Sequence, residues 1–169
     1  MPLRRLSILP VAVATSWLFT VGLPTNASAQ ITPSADAYTR NANPGTNYGA
    51  TGLLSVEGCG AATYTHFDLS SIPASVSVTQ ATLKLYVNAV TTPGAINVRY
   101  VNGAWATDTI SSILAPAHGA LIASNAFLIA SDKNQYVLVN VTPAAVAWLN
   151  GSEANKGLEP VADGAIKNS

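Results

Sequence analysis

Ala81-Thr82-Leu83-Lys84-Leu85-Tyr86-Val87-Asn88-Ala89-Val90 is the stretch that decides the fold class. Leu83, Leu85 and Val87 alternate with Thr82, Lys84 and Tyr86, a period of two that sends one set of side chains to a core and the other to solvent. Thr91-Thr92-Pro93-Gly94 then turns the chain. Beyond it, Ile96, Val98 and Tyr100 alternate with Asn97, Arg99 and Val101 over Ala95–Val101. The two segments are expected to pair as a hairpin with a basic residue on each outer face, which would bring Lys84 and Arg99 near each other.

The rest of the chain from Gln30 onward reads the same way. It is rich in Ala, Val, Thr, Ser and Asn, poor in charge, and broken by Gly or Pro every ~10 residues, the pattern of an antiparallel all-β domain. Shorter strands are expected at Ala35–Thr39, Leu53–Glu57, Thr63–Asp68, Ala120–Ile129 and Gln135–Val141. The loops Asn41–Thr51 and Asn102–Ser112 between them are expected to face outward. A single short helix is predicted after Val141: Thr142 caps it, Pro143 suits its first turn, and Val146, Trp148 and Leu149 form an apolar stripe before Asn150-Gly151 ends it. Trp148 is expected to plug one end of a β-sandwich.

Residues 1–29 read as a secretory signal peptide. Arg4 and Arg5 give a positive start, Leu6–Leu23 an apolar run, and Ala27-Ser28-Ala29 the small residues read before a cut ahead of Gln30. The expected location is therefore secreted or extracellular, with no membrane span after cleavage. The 140 residues 30–169 suffice for one domain with one core. Without Arg4 and Arg5, six basic side chains stand against eight acidic ones, a formal charge of −2 without runs. Such a surface excludes nucleic acid as an electrostatic partner. Cys59 is the sole cysteine and cannot form an internal bridge; it is either a buried thiol or a reactive one.

Signatures of catalysis are missing. The chain has no Gly-x-Ser-x-Gly turn, His-Glu-x-x-His helix, phosphate-cradling glycine loop or Cys-x-x-Cys pair. His66 falls in a strand and His118 in a loop, and Asp36 with Asp68 more readily order a strand end and a turn than hydrolyse a glycoside. No enzyme is expected.

Several segments together are similar to a known family. They are Ala35-Asp36-Ala37-Tyr38, Asn43-Pro44-Gly45-Thr46-Asn47-Tyr48-Gly49, His66-Phe67-Asp68-Leu69-Ser70-Ser71-Ile72-Pro73, Ala81–Val87, Val139–Thr142, Trp148-Leu149-Asn150-Gly151 and Asn155–Leu158. In this order they resemble the DNRLRE (disaggregatase-related) domain, also classed as carbohydrate-binding module family 96. The resemblance implies a secreted β-sandwich of jelly-roll type, non-catalytic, that binds polysaccharide or a cell-surface glycan. Its members continue past the stretch matching Asn155–Leu158 with further strands. This chain ends at Lys167-Asn168-Ser169, so the domain 30–169 is expected to be a truncated one lacking its last strands, or to leave a sheet edge unpaired and open to self-association. Pro160 adds to this by removing a ladder donor from what should be an apolar strand.

A sugar-binding module needs aromatic faces for C–H-rich sugar surfaces and a few polar groups for hydroxyls or uronates. The aromatic candidates are Tyr48, Tyr86, Tyr100, Trp105 and Tyr136. Tyr48 belongs either to a binding loop or to one tucked against the sandwich, and Trp105 is either a platform or a lid. Arg40, Lys84 and Arg99 are the basic residues of ordered segments that point outward, serving either an acidic glycan or solubility. The candidate ligand-binding set is thus Arg40, Tyr48, Lys84, Arg99 and Trp105. No cofactor is expected beyond a structural calcium ion, for which Asp36 or Asp68 could supply oxygens. The competing reading is a structural or adhesive cell-surface component with no specific glycan site.

Overall fold

The computed structural model describes residues 28–58, 60–73 and 75–163. Most of the predicted leader and Cys59 lie outside the described residues. Seven strands follow in order: β1 (Pro33–Arg40), β2 (Ala61–Phe67), β3 (Thr82–Val87), β4 (Gly94–Val101), β5 (His118–Leu128), β6 (Gln135–Asn140) and β7 (Leu158–Asp163). One helix, α1 (Thr142–Leu149), precedes β7. The strands form a five-stranded antiparallel sheet, ordered β1-β2-β7-β4-β5, and a two-stranded antiparallel sheet of β3 and β6. This is the expected all-β sandwich with one short helix.

The alternation in Ala81–Val101 holds, but the hairpin does not. β3 pairs with β6, and β4 pairs with β5 and β7. The two strands belong to opposite sheets: Leu83 and Val98 are buried in one core cluster, and Val87 and Ile96 in another. An apolar face on each strand can be buried by a partner across the core as well as by one alongside, so periodicity alone does not choose between the two. Lys84 and Arg99 therefore sit on different sheets. The stretch Leu53–Glu57 is also not a strand; it contributes a single bridge, Glu57 to Ala61, and Ser55 accepts a hydrogen bond from Thr63 Oγ1 through its carbonyl at 2.9 Å.

β7 corrects the reading of the last segment. Despite Pro160 it is a central strand, between β2 and β4. Its pairing with β4 runs unbroken through Val98–Pro160, whereas with β2 only Ala62–Val161 and Thr65–Leu158 are in register. A proline lacks one backbone donor and so can disturb only one of its two neighbours. The interruption falls on the β2 side. Leu158 is 1% exposed and joins Leu83, Val98, Val139, Val141 and Ala144 in the main core.

Helix α1 matches the predicted span with a different cap and face. Asn140 Oδ1 accepts from Thr142 N at 2.9 Å, while Thr142 Oγ1 accepts from Ala81 N at 2.9 Å, tying the helix start to β3. Ala144 is buried and Trp148 packs on the core with its ring edge-on to Tyr100 at 6.1 Å. These two share a helical face at i, i+4 with Val141 one turn before. Val146 lies off that face and is exposed.

The two long loops do not simply face outward. They cover the outer face of the large sheet, where Ala37, Tyr64, Val101 and Ile110 form a second core edged by Trp105. Asn47 Nδ2 ties them together by donating to the carbonyls of Thr107 and Ile110 at 2.8 and 2.7 Å. Under this cover lies the Glu159 side chain, fully buried. Burial, then the Glu159 carboxylate beside it, holds the Tyr64 hydroxyl well above the usual tyrosine range. Between the unfolded tyrosine value of about 10 and that higher folded value, the unfolded chain binds fewer protons. Stability is thus full below pH ~10 and falls as pH rises further. Thermal melts across the alkaline range should show this slope, and Tyr64→Phe should flatten it.

Candidate functional site

The exposed site is a consequence of strand geometry. β3 and β6 each give one face to the core, through Leu83, Val87 and Val139, so their remaining side chains must point away. In register, Thr82 faces Asn140, Lys84 faces Leu138 and Tyr86 faces Tyr136. Tyr86 is 51% exposed, Tyr136 59% and Leu138 62%. Such large apolar groups side by side on an open strand pair form a patch of the kind that marks a binding surface.

The rings of Tyr86 and Tyr136 meet at 65° with centroids 5.2 Å apart. Lys84 Nζ stands 4.6 Å from the centroid of Tyr136, close enough for a cation–π contact. Asn140 is fixed at the helix end because its Oδ1 accepts from Thr142 N. The face thus presents an angled aromatic pair, an apolar neighbour, one ammonium with three donors, and polar groups at one end. Aromatic rings take the C–H side of a pyranose, and the ammonium takes a hydroxyl or a uronate carboxylate. Pre-formed strands hold these groups with little left to order on binding.

The other candidates are placed elsewhere. Arg40 donates to Glu57 Oε1 at 2.7 Å in a half-buried ion pair. Tyr48 stacks on Tyr38 at 4.5 Å and 18°, and its hydroxyl accepts from Asn43 Nδ2, so this loop is tucked against β1. Arg99 lies on the large sheet opposite Glu159, its Nη1 donating to the Gly119 carbonyl at 3.2 Å. Trp105 leans on Tyr64 at 5.8 Å and donates from Nε1 to the Lys156 carbonyl at 2.9 Å, the position of a lid on the outer core. Of the five, Lys84 alone joins the exposed β3–β6 face. Tyr136 and Leu138 complete it, and they could not be joined to Lys84 and Tyr86 from sequence because the β3–β6 pairing spans about fifty residues.

The histidines have separate partners: Ser34 Oγ for His66 and Glu159 Oε1 for His118, each at 2.8 Å. Asp68 Oδ1 accepts from Ser70 N at 2.9 Å, a turn bond that holds its carboxyl below the usual range. Among the described residues no group of three or more His, Cys, Asp or Glu could hold a metal ion.

The pattern of carbohydrate-binding module family 96 matches residues 27–158, most of the chain and all of β1 to β6. The protein belongs to that family. It matches no curated protein.

Proposed function

We propose that this protein is secreted and binds extracellular polysaccharide, without acting on it chemically, through the exposed face of β3 and β6. The observation that carries this reading is the pairing of Tyr86 with Tyr136 under Lys84 on a strand face that no other described element covers. The ammonium suits an acidic glycan best. Affinity chromatography on alginate and on cellulose tests this: the protein should be retained more strongly by the acidic polymer. Lys84→Ala should weaken that retention and reduce its salt dependence, since exposed charge contacts are screened within ~8 Å at physiological salt. A folded protein that binds neither polymer would be the structural or adhesive component instead.

Export rests on the leader pattern of residues 1–29. N-terminal sequencing of material from outside the cytoplasm should begin at Gln30, and soluble cytoplasmic protein retaining Met1 would contradict it. Among the described residues β1 and β5 are the outer strands of the large sheet. Self-association, if the protein shows it in solution, would proceed by strand addition there.

A further inference from the structure

Beside the ends of β4 and β5 lies a cleft of about 240 Å³ with no β3 or β6 residue in its lining. Tyr100, Asn102, His118, Gly119, Glu153 and Lys156 are among its lining residues. Its size is below the ~300–1,000 Å³ of drug-sized sites and suits a ligand of one small ring. Its walls are held fixed. Asn155 Nδ2 donates to the Phe67 carbonyl at 2.8 Å, Trp105 Nε1 to the Lys156 carbonyl at 2.9 Å, and Val101 N to the Gly157 carbonyl at 3.2 Å. Gly157 permits this path: its φ is +102° and a Cβ there would lie 2.4 Å from the Thr65 carbonyl oxygen.

One wall carries a feature that packing does not explain. Glu159 is 0% exposed, and its Oε1 lies 2.8 Å from Nδ1 of His118, whose side chain is 62% exposed. The same carboxylate lies beside the buried Tyr64 hydroxyl. Burying a carboxylate in this way carries a desolvation penalty that its partners must offset. What it achieves is to fix the His118 ring: Nδ1 is committed to the carboxylate and Nε2 is turned away from it, the carboxylate–histidine device by which proteins aim an imidazole.

The remaining groups set the chemistry. Lys156 brings donors, Glu153 acceptors and Asn102 both, and the Glu153 and Lys156 charges offset each other without forming an ion pair. A neutral ligand rich in hydroxyls, each both donor and acceptor, matches such a set; a uronate would meet the Glu153 carboxylate. We propose that this cleft binds one terminal sugar unit of a neutral glycan, as a second site separate from the β3–β6 face.

The tryptophans provide a readout that the β3–β6 face does not share. The chain has three, at 17, 105 and 148. Trp105 bonds to Lys156 and Trp148 packs on Tyr100, so both border the cleft, whereas the β3–β6 face holds only tyrosines. In the full chain carrying Trp17→Phe, tryptophan emission is titrated with cellobiose, mannobiose, lactose and galacturonic acid. A saturable change is expected with at least one neutral disaccharide. It should be lost, by tenfold or more in affinity, in Lys156→Ala/Asn102→Ala, both exposed positions, and kept in Tyr86→Ala/Tyr136→Ala. The proposal is overturned if no neutral sugar changes the emission, if galacturonic acid alone does, or if the change follows the tyrosines instead of Lys156 and Asn102. Failure of the β3–β6 face to bind polysaccharide would leave this result unaffected.

Discussion

Replacing Tyr86 and Tyr136 together by Ala should abolish retention on acidic polysaccharide while leaving the protein folded. Exposed tyrosines at the centre of a contact act as hot spots worth about 2 kcal/mol or more, roughly a 30-fold loss of affinity. The pair also links the two strands, but a cross-strand pair contributes only about 0.2–1 kcal/mol to a sheet. The expected signature is thus a large fall in binding with a small fall in melting temperature, read by affinity electrophoresis beside a thermal melt. Lys84→Ala should give a smaller loss, confined to acidic polymers. If the double variant binds as tightly as the parent, the face is a structural staple and nothing more.

Leu158→Ala should have the largest effect on stability. Leu158 is 1% exposed and sits where β7 packs its inner face against Leu83 and Val139 of the small sheet. Truncating a buried leucine costs about 2–5 kcal/mol, set by how far the cavity collapses. Against a total of ~5–15 kcal/mol, that is a large share. For a domain of this size it corresponds to a fall of roughly 5–20 °C in Tm. Because β7 joins β2 to β4, the loss should be felt by the whole large sheet as one cooperative melt. A Tm within a few degrees of the parent would mean that β7 is not the central strand.

Which parts of this structure were legible in the chain follows from the range of the interactions. Strand type was legible wherever alternation was clean: Leu83-Lys84-Leu85-Tyr86-Val87 reads the same in sequence and in space. So did the segment Thr142–Leu149, through Pro143 and Gly151. Sheet membership was not, because the same inward-facing Ile96 and Val98 can meet Leu83 across a core or beside it. β7 was obscured by Pro160, whose missing donor matters only on one side of a strand. The loops were misjudged for a related reason: Asn47, Trp105 and Ile110 look like loop residues until the outer face of the large sheet needs covering. The tuck of Tyr48 against Tyr38 and the ion pair of Arg40 with Glu57 depend on the same long-range assembly.

The exposed face was half legible. Lys84 and Tyr86 follow from the period of β3, and Tyr136 stood among the aromatic candidates. What joined them was the register with β6, a contact that no local pattern encodes. Glu159 gave no signal at all, because a lone Glu in a segment with Pro160 reads as a loop residue. Its burial appears only once β7 lies beneath the loop that carries Trp105.

The most direct test of the β3–β6 face as the polysaccharide site is amide chemical-shift mapping with an acidic oligosaccharide, using alginate fragments as the probe. The largest perturbations should fall on residues 82–87 and 135–140, with the outer side chains of Tyr86 and Tyr136 broadened or shifted together. Perturbations confined to other strands, or none at any concentration with the protein folded, would contradict it.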